Sequence, residues 1–203
     1  MIRFGVLNHV GREPSTLQAT LASLLVANPM NAPQVFTDDG RWGASANLAR
    51  ALMTLSEGNH YNVCVIDDDV VLSVHTMNRI TEAMMNLGDH AYSLWTIEQN
   101  IPHEDRERTG WVEVTPHMHL WGGAVVMGPE LSRRVAGLIR DYVDAERSFN
   151  TKPDACLYRA LQELGSKLYF HIPSLMDHAG LEASTIGNTH DHGETRGYKF
   201  AEQ

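Results

Sequence analysis

The chain has 203 residues, enough for one well-cored domain and short for two. Hydrophobic residues make up 43% and charged residues 20%, an ordinary globular balance, and no apolar run approaches the roughly 18 residues that cross a bilayer. Acidic side chains outnumber basic ones by 25 to 16, a formal charge of −9, which disfavours a broad non-specific grip on nucleic acid without excluding one.

An anionic ligand therefore needs a local cation. The opening run Met1-Ile2-Arg3-Phe4-Gly5-Val6 enters a strand directly instead of forming a charged leader and apolar core, so a cytoplasmic protein with no transmembrane segment is expected. Cys64 and Cys156 belong to no CxxC pair and are expected to be buried reduced thiols.

Strand-like and helix-like segments alternate along the chain with no repeat or linker, which predicts a layered α/β fold. Residues 2–10 read as the first strand. Ser15 fits a helix N-cap with Gln18 three residues on, followed by Leu17, Leu21, Leu24 and Leu25 at helical spacing. Residues 34–37 form a short second strand that ends in the turn signal Asp38-Asp39-Gly40, and residues 46–55 a helix. Residues 61–66 are almost continuously apolar, as expected of a strand covered on both faces.

Val74, Met77, Ile80 and Met84 outline the next helix, and residues 91–97 another strand. Residues 98–117 are largely polar and read as a long irregular loop. Residues 119–127 read as a strand carrying Gly122-Gly123. Pro129 and Pro153 each open a helix, the second closed by Gly165, and residues 167–172 form a last strand. This divides the chain into one α/β domain, 1–184, and a polar His-containing tail or lid, 185–203.

The main chemical signal is Ile66-Asp67-Asp68-Asp69-Val70, where an apolar strand delivers three carboxylates to its C-terminal end. Open α/β sheets place ligands at that end. Strand alternation puts Asp67 and Asp69 on one face and Asp68 on the other. Two like charges about 5 Å apart repel by roughly 3 kcal/mol at an effective dielectric near 20. Water, a proton or a cation must relieve that, and hard cations such as Mn²⁺ or Mg²⁺ also bridge to diphosphate oxygens. Asp-rich triplets equally serve as solvated turns before helices, and the triplet alone does not decide between the two.

Taken in order, these segments resemble the GT-A glycosyltransferases, especially the family-2-like branch, over residues 2–185. The first strand with Arg12 and Ser15-Thr16-Leu17-Gln18 resembles the entry to the donor pocket. Val35-Phe36-Thr37-Asp38-Asp39-Gly40 is similar to the second strand, whose terminal Asp meets the nucleobase. Gly43-Ala44-Ser45-Ala46-Asn47-Leu48-Ala49-Arg50 is similar to the helix beneath the nucleotide. Ile66-Asp67-Asp68-Asp69 resembles the DxD motif, and Trp121-Gly122-Gly123-Ala124 the glycine-bearing strand on the acceptor side. Asp154 opens a helix where inverting members place their general base. Pro173-Ser174-Leu175-Met176-Asp177-His178-Ala179-Gly180 resembles the segment whose His completes the metal site.

The resemblance implies a Rossmann-like GT-A fold with a mostly parallel central sheet flanked by helices. It implies transfer of a sugar from a nucleoside diphosphate sugar to an acceptor hydroxyl, with inversion. Asp69 and His178 would hold Mn²⁺ or Mg²⁺; Arg12, Asp38, Asp39, Asp67 and Asp68 would meet the donor. Trp121, Gly122 and Gly123 would meet the acceptor, and Asp154 would be the base. Two departures stand out: Pro153 stands where the acidic residue usually paired with the base is found, and these 203 residues do not include the family's extra C-terminal acceptor region. The acceptor pocket is then either minimal or completed by a second subunit of a homo-oligomer. The same acidic strand end also suits a metal-dependent nucleotidyl transferase or hydrolase, or a silent nucleotide-sugar-binding module. For single residues, Asp154 equally reads as a helix-dipole partner and His178 as half of a surface ion pair with Asp177.

Overall fold

The computed structural model describes residues 1–11, 13–41, 43–58, 61–97, 101–114, 124–146, 152–179 and 200. In chain order the elements are β1 (Ile2–His9), α1 (Pro14–Ala27), β2 (Gln34–Asp38), α2 (Ala44–Ser56), β3 (Asn62–Asp67), β4 (Val70–Leu72), α3 (Thr76–Leu87) and β5 (Ala91–Ser93). A 3₁₀ turn (His103–Asp105) follows, then β6 (Gly110–Glu113), β7 (Ala124–Met127), α4 (Pro129–Glu146), α5 (Pro153–Glu163), β8 (Leu168–Ile172) and β9 (Met176–His178).

Seven strands form one sheet in the order β2-β1-β3-β7-β5-β8-β6. β1 pairs in parallel with β2 and β3, and β5 in parallel with β8. β7 runs antiparallel to both β3 and β5, and β6 antiparallel to β8. Five of the seven strands therefore point one way, with β6 and β7 reversed, as the expected mostly parallel sheet requires. β4 and β9 form a separate two-stranded antiparallel ladder.

The helices cover both faces because the central strands are apolar on both. On one face, Phe4, Val6, Cys64, Ile66 and Val126 pack with Leu24 of α1 and Ile80 of α3. On the other, Phe36, Val65 and Val125 pack with Leu52 of α2, Val135 of α4 and Leu161 of α5. α2 lies close to the sheet at Gly5, where an added Cβ would fall 2.6 Å from Leu55 Cδ1 and 3.0 Å from the Phe36 ring. Gly5→Val is expected to overpack this contact and cost about 1–3 kcal/mol, read as a lowered denaturant midpoint at unchanged slope.

Several boundaries differ from the sequence expectation for local reasons. α1 starts at Pro14, whose fixed φ and missing N–H suit the first turn, so Ser15 lies inside the helix and Glu13 takes the N-cap position. The β5 strand stops at Ser93 instead of running to Ile97. Ser93 Oγ donates to Trp95 O at 2.9 Å and accepts from Trp95 N at 3.4 Å, closing a tight bend. The polar stretch 98–117 contains β6, and β4 and β9 were not anticipated. Helix α5 ends where the sequence suggested: Gly165 has φ +63°, a conformation glycine adopts without Cβ strain, and it separates α5 from β8.

Candidate active site

Taking the direction of β1 as up, β1, β2 and β3 deliver their C-terminal residues to the upper edge of the sheet, and so does β8. α5 lies against the sheet's helical layer and precedes the upward strand β8, so it starts at this edge, bringing Asp154 with it. The chain enters the downward strand β7 at the same edge, with Ala124 opposite Ile66. All the described site candidates thus converge on one end of the fold. Trp121, Gly122, Gly123 and Arg12 lie outside the described residues, as does Gly180.

α2 fixes the second strand. Asn47 Nδ2 donates to Phe36 O at 2.8 Å, and Arg50 Nη2 donates to Thr37 O at 2.9 Å and to Asn47 Oδ1 at 2.7 Å. The next residue, Asp38, is buried, and its Oδ1 accepts from Gly40 N at 2.9 Å. Asp39 pairs with Arg41, Oδ2 to Nε, at 3.2 Å. In register, His9 of β1 faces Asp38, and Leu7 faces Asp67. Alternation places Asp38, His9 and Asp67 on the α2 side, in line with Phe36, Leu7 and Val65.

Beyond Asp67 the alternation ends, because the chain turns at residues 68 and 69. Asp68 folds inward to 2% exposure, and its Oδ2 accepts from His9 N at 3.2 Å, tying the end of β1 to the acidic turn. Asp68→Ala would remove the charged acceptor of this half-buried bond and leave space at a buried position. A loss of about 1–3 kcal/mol is expected in chemical denaturation.

Asp69 is placed by the small ladder. Val70 pairs with His178, and Ala179 N donates to Asp69 O at 2.6 Å. α1 anchors the ladder from below: Thr20 Oγ1 accepts from Val70 N at 3.0 Å, and Ser23 Oγ from Leu72 N at 3.3 Å. As a result, His178 Nδ1 stands 3.7 Å from Asp69 Oδ1, a close ion pair beyond hydrogen-bond length. Asp177, buried, accepts from the backbone N of His178 at 2.9 Å. Burial is the largest single influence on the imidazole and pulls its pKa down. The carboxylate of Asp69, and then that of Asp177, outweigh it, so the pKa is raised above the ordinary value.

One carboxylate oxygen and one imidazole nitrogen form a two-donor set. No group of three or more His, Cys, Asp or Glu side chains is placed to hold a metal ion among the described residues. Such a set suits Mg²⁺ or Mn²⁺ bound jointly with diphosphate oxygens and water, and does not suit a closed structural zinc site.

Asp154 sits in the first turn of α5, partly exposed, its Oδ1 accepting from Ala155 N at 2.9 Å. Sequence reasoning missed Trp95. It sits in an apolar run that reads as core, yet its ring meets His178 edge-on, with centroids 5.0 Å apart and planes at 85°. It missed His9 as well, although a polar residue closing an apolar strand is the same signal that marked Asp67.

The sheet order and the edge at which these side chains gather define a GT-A-like α/β fold. Among solved structures, the chain is similar to S. aureus TarS 1-349, with a TM-score of 0.52 over 83% of this chain and 57% of that one. It is similar also to TarS 1-349 in complex with UDP-GlcNAc, with a TM-score of 0.59 over 93% of this chain and 61% of that one. Identity is 10% in both cases, and this chain spans about three fifths of the length of those chains. No protein-family model matches the sequence, and no curated protein matches it. No helix among the described residues is long and apolar enough to cross a membrane.

Proposed function

We propose that this protein transfers a sugar from a nucleoside diphosphate sugar, with a uridine nucleotide as the first candidate, to an acceptor hydroxyl. The observation that carries the reading is the placement of His178 against Asp69 by the β4–β9 ladder, at the carboxyl edge of a GT-A-like sheet. The similarity to a structure holding UDP-GlcNAc supports the choice of base.

On this reading Asp38, His9 and Asp67 line the nucleoside end, and Asp39 carries Arg41 at its border. Asp69 and His178 would hold Mn²⁺ or Mg²⁺ beside the diphosphate. The ion supplies Lewis-acid stabilisation of charge on the leaving diphosphate. Asp68 acts by holding the turn and the exit of β1 together. Arg12 is assigned to the leaving group, and Trp121, Gly122 and Gly123 to the acceptor, where small residues let a sugar approach the backbone. Asp154, at the same edge on the α2 side, accepts the proton of the attacking hydroxyl, so that bond formation at the anomeric carbon and departure of the diphosphate proceed with inversion.

Product analysis tests the proposal. Incubation with UDP-GlcNAc, other UDP-sugars and Mn²⁺ is expected to release UDP, more slowly to water than to a matched acceptor. Release of uridine monophosphate or pyrophosphate would replace transfer with hydrolase or nucleotidyl-transfer chemistry. Metal-dependent binding with no product from any acceptor class would make the protein a binding module.

A further inference from the structure

We infer that Trp95 is a positioning residue that sets the grip of His178 on the divalent cation and its diphosphate, an inference that rests on the donor reading above. The His178 backbone is fixed by its pairing with Val70 and by the bond from its own N–H to Asp177. A ladder fixes a backbone and does not by itself set the side-chain torsions of the imidazole. Among the described residues, the Asp69 carboxylate stands on one side of it and the Trp95 ring lies edge-on at 5.0 Å on another. A carboxylate that would hold an ion would have less of its charge left to orient the imidazole, so a restraint of another kind would matter more once the ion is bound. Trp95 carries no metal-ligating group, so its edge-on contact with the ring would not compete with an ion.

The indole is itself held firmly. It is 7% exposed and packs in the same apolar cluster as Val70 and Met176 of the ladder and the adjoining Leu175. The neighbouring backbone is pinned from three directions. Leu94 N donates to Ala124 O at 3.1 Å, Leu175 N donates to Leu94 O at 2.9 Å, and Ser93 Oγ bonds to both N and O of Trp95. Trp95 thereby joins the main sheet, through β5 and β7, to the ladder that carries His178. With two protein donors among the described residues, the position of the imidazole would weigh heavily on the ion. Partners that orient a metal-bound His are commonly worth 10–100-fold in metal affinity.

The test compares the wild-type chain with Trp95→Phe and Trp95→Leu, titrated with Mn²⁺ in the presence of UDP and followed by the electron paramagnetic resonance of free Mn²⁺. Trp95→Leu is expected to weaken Mn²⁺ binding by about 10–100-fold, and Trp95→Phe, which restores an aromatic edge, to recover most of it. A folded Trp95→Leu that binds Mn²⁺ and UDP like the wild type would overturn the inference. So would equal losses in the two variants, since that marks simple packing damage. Should Trp95→Leu fail to fold, the wild type decides. Mn²⁺ with UDP is expected to broaden the Trp95 indole N–H and the His178 ring resonances together, and a His178 signal that broadens without Trp95 refutes the contact. If the wild type binds no Mn²⁺ with UDP at all, it is the donor reading that fails, a result distinguishable from failure of Trp95 alone.

Discussion

Asp69→Asn is expected to lower the rate of UDP-sugar turnover by about 10²–10³-fold, the scale of losing several kcal/mol of charge stabilisation on the leaving group. The substitution keeps the size of the side chain and removes its charge. The turn should survive it, because the bond from Ala179 N goes to the backbone oxygen of residue 69 and the ladder pairs through Val70. The defect therefore appears in the dependence on metal. The Mn²⁺ concentration for half-maximal activity should rise, and thermal stability without ligand should stay close to that of the wild type. Asp68→Ala is expected to show the reverse pattern, because Asp68 is buried and holds His9 N. An Asp69→Asn protein with normal turnover and an unchanged Mn²⁺ requirement would remove Asp69 from the site.

Asp154→Asn is expected to reduce kcat by about 10²–10⁴-fold, the usual range for loss of a general base, with little change in KM for the donor. Asp154 sits on α5, which packs in the cluster on the α2 face, whereas the β4–β9 ladder packs in the cluster on the other face, so donor binding should not depend on it. The competing role is a charge at a helix N-terminus, worth about 0.3–1 kcal/mol of stability. The two roles separate cleanly in one experiment. A catalytic Asp154 gives a folded variant that binds Mn²⁺ and UDP normally and does not transfer. A purely structural one gives a variant that unfolds slightly earlier and transfers at the wild-type rate.

The local pattern of the chain was enough to place the front half of the fold. β1, α1, β2, α2 and β3 follow one another with apolar periods long enough to read. The abrupt end of the apolar run at Asp67 marks the carboxyl edge. What escaped was short or distant. The β4 and β9 strands are three residues each, too few to show a period of two, and β6 is four residues inside a polar stretch. The closeness of Asp69 and His178 comes from the register Val70 to His178, a non-local pairing that no window of sequence contains. The family resemblance suggested the partnership, and the ladder gives it a physical cause. Asp68 was read with the donor ligands because it sits in the triplet, but the turn at 68–69 breaks strand alternation and sends it inward. Trp95 was invisible for the opposite reason: a tryptophan in an apolar run looks like core, and it is core that also touches the site.

Thermal unfolding with UDP, with Mn²⁺, and with both tests whether Asp69 and His178 hold a divalent ion against a diphosphate. With both present at about 100 times the dissociation constant, a gain of about 2.7 kcal/mol is expected, which for a chain of this length raises Tm by roughly 5–10 °C. UDP with a chelator, or Mn²⁺ alone, should give much less. An equal rise with UDP in the presence of the chelator, or no rise under any condition, would contradict the account.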